Sequence, residues 1–334
     1  MYVIDLQVDD DRMMMSVDAP QTFPQVTNTY TTQELARCTR VDARDKLTAI
    51  SYTLFTGGSY FVRDGMEMER FYNFFAIDVR RGTVPAINEI HSIKFPMYAD
   101  FDFRLPVPIV PRDAICRIVS IANEQIGRFF PCGDDDDDEA RSFRCVVCSK
   151  SNGGVDCGEG KWKHGLHMHW PELILQVEQA FILRLSIIAG LDRHTDWTEL
   201  MGCRRPEWSA IVDEGVYRRS STSSVRSGGL RMIGAPKAKK CKACHKDHLC
   251  TECGGHNNRH IIDMNVYVPY GVLVGPRFVD DAALRDDVHA LVMATTVRRD
   301  MSVQLTAGFT PYVGCPSTSP VSYTHLTLPT IYSV

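Results

Sequence analysis

The chain has 334 residues, of which 44% are hydrophobic and 23% charged, a balance typical of a globular protein with a sizeable core. It contains no apolar run long enough to span a bilayer and does not begin with a signal peptide, so we expect an intracellular protein that is neither membrane-embedded nor secreted. In such a reducing compartment the 12 cysteines are expected as metal ligands or buried thiols, and not as a disulfide framework.

The net charge of −4 does not exclude a nucleic acid as partner, because the charge is unevenly distributed. Much of the negative charge lies in one run at residues 134–139, without which the chain is slightly positive. Arginines and lysines cluster between residues 204 and 242. Local clustering of this kind matters more for binding a polyanion than the total charge does.

The pattern of apolar residues predicts a leader followed by one large globular core. Residues 1–30 have no clear period and are expected to be a poorly ordered leader. Within the core at 31–300, a helix with a threonine cap is expected to start near residue 31, and a second helix over 114–130. Strands are predicted over 144–148 and 164–175, followed by an apolar helix over 177–191. This order is typical of an α+β fold with helices on one face of a sheet.

Three further segments are set apart by composition. The acidic residues at 133–140 repel one another and predict a solvated loop. Residues 301–319 are a trailing segment. Residues 320–334 resemble translated sequencing-adapter sequence, and we expect them to be foreign to the natural protein.

An Asp-x-Asp pair lies in a strand predicted over residues 94–106, which is aromatic and bracketed by prolines. Asp100 and Asp102 point to one face of that strand, while Phe101 and Phe103 point to the other. Two carboxylates this close favour a divalent cation between them, and oxygen ligands suit Mg²⁺ or Mn²⁺. Taken alone, so short a motif more often describes an edge strand with two solvated acids.

The segment 161–171 places Lys163, His167 and His169 on one face of a second strand. A single histidine there would more often be a buried core residue. Two histidines and a lysine on one face, next to an acidic strand, favour a pocket for an anion and a metal ion.

Two later motifs indicate a functional site only in combination with Asp100 and Asp102. Asp213 follows an apolar stretch predicted as a strand, and it could complete a metal site as a third carboxylate. Gly234 and Pro236 predict a turn between Arg231 and Lys237, which suits the gripping of phosphates. The alternative for this turn is a basic surface loop.

Two Cys-x-x-Cys pairs predict a structural zinc site in an insert at 238–260. Their four thiolates suit a tetrahedral Zn²⁺ with no open coordination position. The predicted ligands are Cys241, Cys244, Cys250 and Cys253, and one of these cysteines could be replaced as a ligand by His245, His248 or His256. A second set could be formed by Cys132, Cys145, Cys148 and Cys157, but Cys145 and Cys148 would face opposite sides of a strand.

In this order, the motifs resemble those of the archaeo-eukaryotic primase (AEP) superfamily, and especially the DNA primases of large eukaryotic DNA viruses of the herpesvirus, poxvirus and asfarvirus kind. The resemblance covers residues 71–298. Matching positions are Asp100 and Asp102 in the first motif, Gly165 and His167 in the second, Asp213 in the third, and Arg231 and Lys237 on the following turn. One departure is that Lys161, Lys163 and His164 stand where cellular members carry a serine and two arginines.

The resemblance implies a primase-type catalytic core with an RRM-like antiparallel or mixed sheet and flanking helices. It implies primer synthesis on single-stranded DNA from nucleoside triphosphates, in viral DNA replication in the host cytoplasm or nucleus, with a replicative helicase as a fused or separate partner. Asp100, Asp102 and Asp213 would hold two Mg²⁺ or Mn²⁺ ions. The nucleotide would be bound by His167, Lys163, Arg231 and Lys237.

Two other functions fit parts of the sequence. A rolling-circle replication endonuclease of the HUH type would use His167 and His169 as metal ligands and Tyr217 as nucleophile. A non-catalytic zinc-containing module would bind nucleic acid through the basic patch alone.

Overall fold

The computed structural model describes residues 8–9, 12–13, 29–41, 52–54, 58–130, 143–203, 206–217, 229–240, 260–300 and 302–311. Most of the predicted leader, the acidic loop, the four cysteines of the predicted knuckle and the tail at 320–334 lie outside these ranges. No described helix is long and apolar enough to cross a membrane.

The described segments form a mixed α+β architecture. The strands are β1 Val8–Asp9, β2 Arg12–Met13, β3 Thr39–Val41, β4 Tyr52–Leu54, β5 Gly58–Phe61, β6 Ile87–Glu89, β7 Phe95–Leu105, β8 Arg144–Lys150, β9 Val155–Asp156, β10 Trp162–Leu175, β11 Leu230–Arg231, β12 Lys237–Lys240, β13 His260–Asp263, β14 Tyr267–Val274 and β15 Arg277–Val279. The helices are α1 Tyr30–Arg37, α2 Met66–Arg81, α3 Arg112–Gly127, α4 Val177–Arg193, α5 Trp197–Met201, α6 Trp208–Ile211, α7 Ala282–Asp286 and α8 Val288–Thr295.

The main sheet has the strand order β15-β14-β8-β10-β7, and β9 pairs with β10 beside this path. Each of these pairings is antiparallel. The long strands β7 and β10 run side by side, with Asp100 opposite His167 and Asp102 opposite Gly165. This register brings the first and second sequence motifs together on adjacent strands.

One face of the main sheet is covered by α3 and α4, which form the larger hydrophobic core. Apolar residues of α3 recur at helical spacing, and Ile115, Ile118 and Ala122 are buried against the sheet. Phe101 and Phe103 of β7 point into the same core. Their neighbours Asp100 and Asp102 therefore point to the opposite face of the sheet, as strand alternation requires.

The opposite face is partly covered by a second layer. A smaller core joins Val146 and Val272 of the main sheet to the buried side of α2, where Phe71 and Phe75 lie, and to α8. A second antiparallel sheet, of order β11-β6-β4-β5-β3, completes this layer.

Most predicted elements are confirmed with small shifts of their bounds. The predicted strand before Asp213 is wrong in kind, because residues 208–211 form the short helix α6 and only Val212 makes an isolated bridge. Helix α2 was not predicted from the sequence, although its buried residues recur at helical spacing. Its apolar residues lie on one buried side, against the smaller core.

Candidate functional site

Asp100 and Asp102 lie on β7 and face the same side as His167 and Gly165 of β10. The Nε2 atom of His167 lies 3.6 Å from Oδ1 of Asp100. The side chain of Asp100 is 18% exposed and that of Asp102 is 41% exposed. Asp100 is therefore largely buried, whereas Asp102 is in contact with solvent.

The third acid reaches this pair through the backbone. Val212 forms an isolated antiparallel bridge with Phe101, and the Asp213 N–H donates to the Asp100 carbonyl at 2.9 Å. The carboxylate of Asp213 accepts a hydrogen bond from the Gly215 N–H at 2.8 Å. Two acids more than a hundred positions apart in sequence are therefore hydrogen-bonded neighbours.

A buried arginine holds this bridge in place. Arg184 on α4 donates to the Val212 carbonyl at 2.9 Å from Nε and to the Ser209 carbonyl at 2.9 Å from an Nη atom. Its guanidinium thus ties the end of α6 to a helix of the main core. The position of Asp213 depends on this contact from outside the site.

The electrostatics of the acids are unfavourable as they stand. Burial, followed by repulsion from Asp102 and Asp213, raises the pKa of Asp100 to about 7. Its Oδ1 atom has no hydrogen-bond partner among the described residues. A buried oxygen without a partner, beside two further carboxylates, is an environment that a cation would relieve.

In the described part of the chain, no three His, Cys, Asp or Glu side chains are arranged as a ready-made metal site. The donor set nevertheless has the chemistry of one, since carboxylate oxygens are the ligands that Mg²⁺ and Mn²⁺ prefer. The partnerless Oδ1 of Asp100 fits such an ion.

Positively charged side chains stand beside the acids. The ammonium of Lys163 lies 3.1 Å from Asp102, and both groups are partly exposed. Arg231 lies at the end of β11, after which Gly234 adopts a positive φ of 71° and donates its N–H to the Tyr267 carbonyl at 2.8 Å. This turn, as predicted, separates Arg231 from Lys237, which is exposed at the start of β12.

Tyr267 connects the second motif to the turn. Its ring stacks on His167 with centroids 3.4 Å apart and an angle of 24° between the planes. The guanidinium carbon of Arg231 lies 4.6 Å from the centroid of the same tyrosine ring. Burial, followed by the charges of His169 and Arg231, lowers the pKa of His167 well below its usual value, so its imidazole is neutral near pH 7.

Sequence reasoning missed two residues of this site, Tyr267 and Lys150. They lie opposite each other on β14 and β8 and close to Gly165 of β10, where an added Cβ would meet the Tyr267 hydroxyl. The signal available in the sequence was the parity of each residue on its strand. That parity gives the face of the sheet on which each side chain lies, but the neighbours of the side chain depend on the order of the strands.

The endonuclease alternative is not supported by the positions of its residues. Tyr217 is fully buried and its hydroxyl donates to the Tyr98 carbonyl, so it is not presented as a nucleophile. His169 is also buried, and burial followed by the charge of Arg299 lowers its pKa to about 3. Its ring packs near Tyr98, with centroids 6.5 Å apart.

The predicted zinc ligands at 241–253 lie outside the described residues. Of the second cysteine set, Cys145 is buried in the larger core and Cys148 in the smaller one, on opposite faces of β8. Cys157 is exposed. Cys145 and Cys148 therefore cannot share one ion, as strand alternation led us to expect.

A family model described as the C962R protein N-terminal AEP domain matches residues 51–243. The match covers more than half of the chain and spans all three acids and the turn after β11. AEP domains are archaeo-eukaryotic primase domains, a superfamily of nucleotidyltransferases. The chain belongs to this AEP family, which confirms the resemblance seen in its motifs. A comparison with curated proteins finds no match.

Proposed function

We propose that this chain is a primase-polymerase domain that makes short primers on a single-stranded DNA template. The observation that carries the proposal is the hydrogen bond from the Asp213 N–H to the Asp100 carbonyl. The bond lies between the backbones of Asp213 and Asp100, and the carboxylates of Asp102 and Asp213 both repel that of Asp100, which supports a role for the three acids together. Family membership supports the same class of chemistry.

Asp100, Asp102 and Asp213 are the residues that would hold two Mg²⁺ or Mn²⁺ ions. When bound, such ions would activate the 3′-hydroxyl and neutralise the departing pyrophosphate. The protein's own part is to present the three carboxylates from one strand and one bridge. Arg184 keeps the bridge in place by holding the Val212 carbonyl.

Lys163, Arg231 and Lys237 would bind the phosphates of the incoming nucleotide. His167 is held neutral by burial and is positioned by the ring of Tyr267. A neutral imidazole can donate one hydrogen bond to a phosphate oxygen without adding charge. Because a primase must align two nucleotides without a primer, such positioning supplies much of the catalysis.

Incubation of the protein with single-stranded DNA, labelled nucleoside triphosphates and Mg²⁺ or Mn²⁺ tests the proposal. We expect short products to form without any added primer, and Asp102→Asn to abolish them. Asp192→Asn, a change at an exposed position on α4, is the matched control and should leave the products unchanged. If products persist in Asp102→Asn, or if the wild type binds template but makes none, the proposal is wrong. The second result would favour the non-catalytic binding module.

The zinc knuckle and the setting in viral replication remain part of this proposal. Four cysteine thiolates would bind one Zn²⁺ per chain, which metal analysis of the purified protein measures. Cys241→Ala should lower that stoichiometry. A replicative helicase, fused or separate, is the partner that the likeness to viral primases implies.

A further inference from the structure

Lys150 lies beside Gly165 and opposite Tyr267 in the candidate site, although no motif includes it. It is the last residue of β8 and pairs with Tyr267 on the next strand, while its neighbour Ser149 pairs with Leu166 of β10. Its Cε atom lies 3.1 Å from where a Cβ of residue 165 would be. The missing side chain of Gly165 therefore leaves room for the Lys150 side chain.

The charges around Lys150 are mostly of its own sign. Arg231, Lys163 and Lys237 all lie near enough to act on its ammonium, and Asp102 and Asp100 are the opposing charges. Asp102 is already in an ion pair with Lys163. Within the described ranges, no carboxylate lies at ion-pair distance from the ammonium of Lys150. A half-buried cation among other cations is unfavourable unless an anion joins it.

We infer that Lys150 binds the triphosphate of the incoming nucleotide, directly beside the residues that carry the proposed function. The inference rests on that function for the identity of the ligand. A triphosphate is compact and multiply charged, and so it can meet Lys150, Lys163 and Arg231 together. A template strand carries one charge per nucleotide and would meet such a half-buried cluster less completely. Lysine binds phosphate as a point charge, which suits a position reached from one side only.

Calorimetric titration with inorganic triphosphate and with a single-stranded oligonucleotide tests the inference without relying on catalysis. We expect Lys150→Met to weaken triphosphate binding about tenfold or more, since a hydrogen bond to a charged group is lost. Lys150→Arg should remain within about threefold of the wild type because the charge is kept. Arg277→Met is the control, as this arginine is exposed on β15 at the other edge of the main sheet and should change nothing.

Thermal unfolding followed by circular dichroism checks that each variant is folded, and Lys150→Gln replaces Lys150→Met if the latter is not. The inference is overturned if a folded Lys150 variant binds triphosphate like the wild type. It is also overturned if only oligonucleotide binding weakens, because Lys150 would then contact the template. Failure of the proposed function looks different: the wild type would make no primers, while the loss of triphosphate binding in Lys150→Met would still be seen.

Discussion

The buried carboxylate of Asp100 makes the stability of the metal-free protein depend on pH. Its pKa is 3.8 in an unfolded chain and about 7 in the fold, so the folded state holds this proton more tightly. The contribution of Asp100 to the free energy of unfolding therefore falls as the pH rises from about 4 to 7, and is constant above that range. At 1.36 kcal/mol per pKa unit, the loss is about 4 kcal/mol as an upper estimate.

Asp100→Asn keeps the size of the side chain and removes its charge. We expect the variant to be more stable than the wild type by up to about 4 kcal/mol at pH 8, and by almost nothing at pH 4. Urea unfolding in the presence of a chelator at both pH values measures this difference. Asp192→Asn, at an exposed position on α4, should show little change at either pH.

A gain in stability that is the same at both pH values would refute this reasoning, since the charge of Asp100 would then not be its source. A second measurement uses the metal directly. Mn²⁺ added at pH 8 should raise the melting temperature of the wild type by binding the folded state, and should do so less in Asp100→Asn.

Three further substitutions test the packing around the acids by urea unfolding and initial rates of nucleotide incorporation. Gly165→Ala adds a methyl group where a tyrosine hydroxyl and a lysine side chain already lie. It should lower the free energy of unfolding by about 1–3 kcal/mol and reduce nucleotide incorporation. In the control Gly127→Ala the methyl group meets open space, and neither quantity should fall. Tyr217→Phe removes one buried hydrogen bond and should cost about 1–3 kcal/mol while leaving incorporation per folded molecule unchanged; loss of activity would revive a role for its hydroxyl. Arg184→Met frees the backbone that carries Asp213 and should lower the incorporation rate beyond its effect on stability, and an unchanged rate would contradict the positioning role.

The parts of the site that lie within one strand could be predicted from the sequence. Alternation of side chains is a local property of an extended backbone, and so the spacing of Asp100 and Asp102 is enough to place them on one face. The same rule places Lys163 and His167 together. Helix α3 is predicted to within two or three residues of its ends because its apolar residues keep a helical period.

Residue propensity was misleading in two segments. The helix α2 is rich in aromatic residues, which favour strands by propensity, yet its buried residues Met68, Phe71, Tyr72 and Phe75 recur at helical spacing. The stretch before Asp213 has the composition of a short strand. It forms α6 instead, where Trp208 packs against Trp197 with ring centroids 4.8 Å apart.

Tyr267 and Lys150 could not be found from the sequence because their importance comes from the order of strands. They reach Gly165 only since β14, β8 and β10 are neighbours, and these strands are not consecutive in the chain. A tyrosine and a lysine on separate strands carry no motif. The contacts of Tyr267 with His167 and Arg231 are visible only in three dimensions.

The position of the site explains why its charged groups lower stability and can still bind ligands. The second layer covers the main sheet around Val146 and Val272 and leaves Asp102 and Lys163 partly exposed, so the acids and cations lie at the border of the covered area. At this border Asp100 is buried enough for its ionisation to cost stability, while ligands can still approach from solvent. Bound cations would offset part of that cost, and a triphosphate would offset the repulsion among the neighbouring cationic side chains, since opposite charges interact more strongly where water is scarce. The destabilising carboxylate and the binding of charged ligands are therefore two consequences of one arrangement, and a more stable Asp100→Asn protein should also be an inactive one.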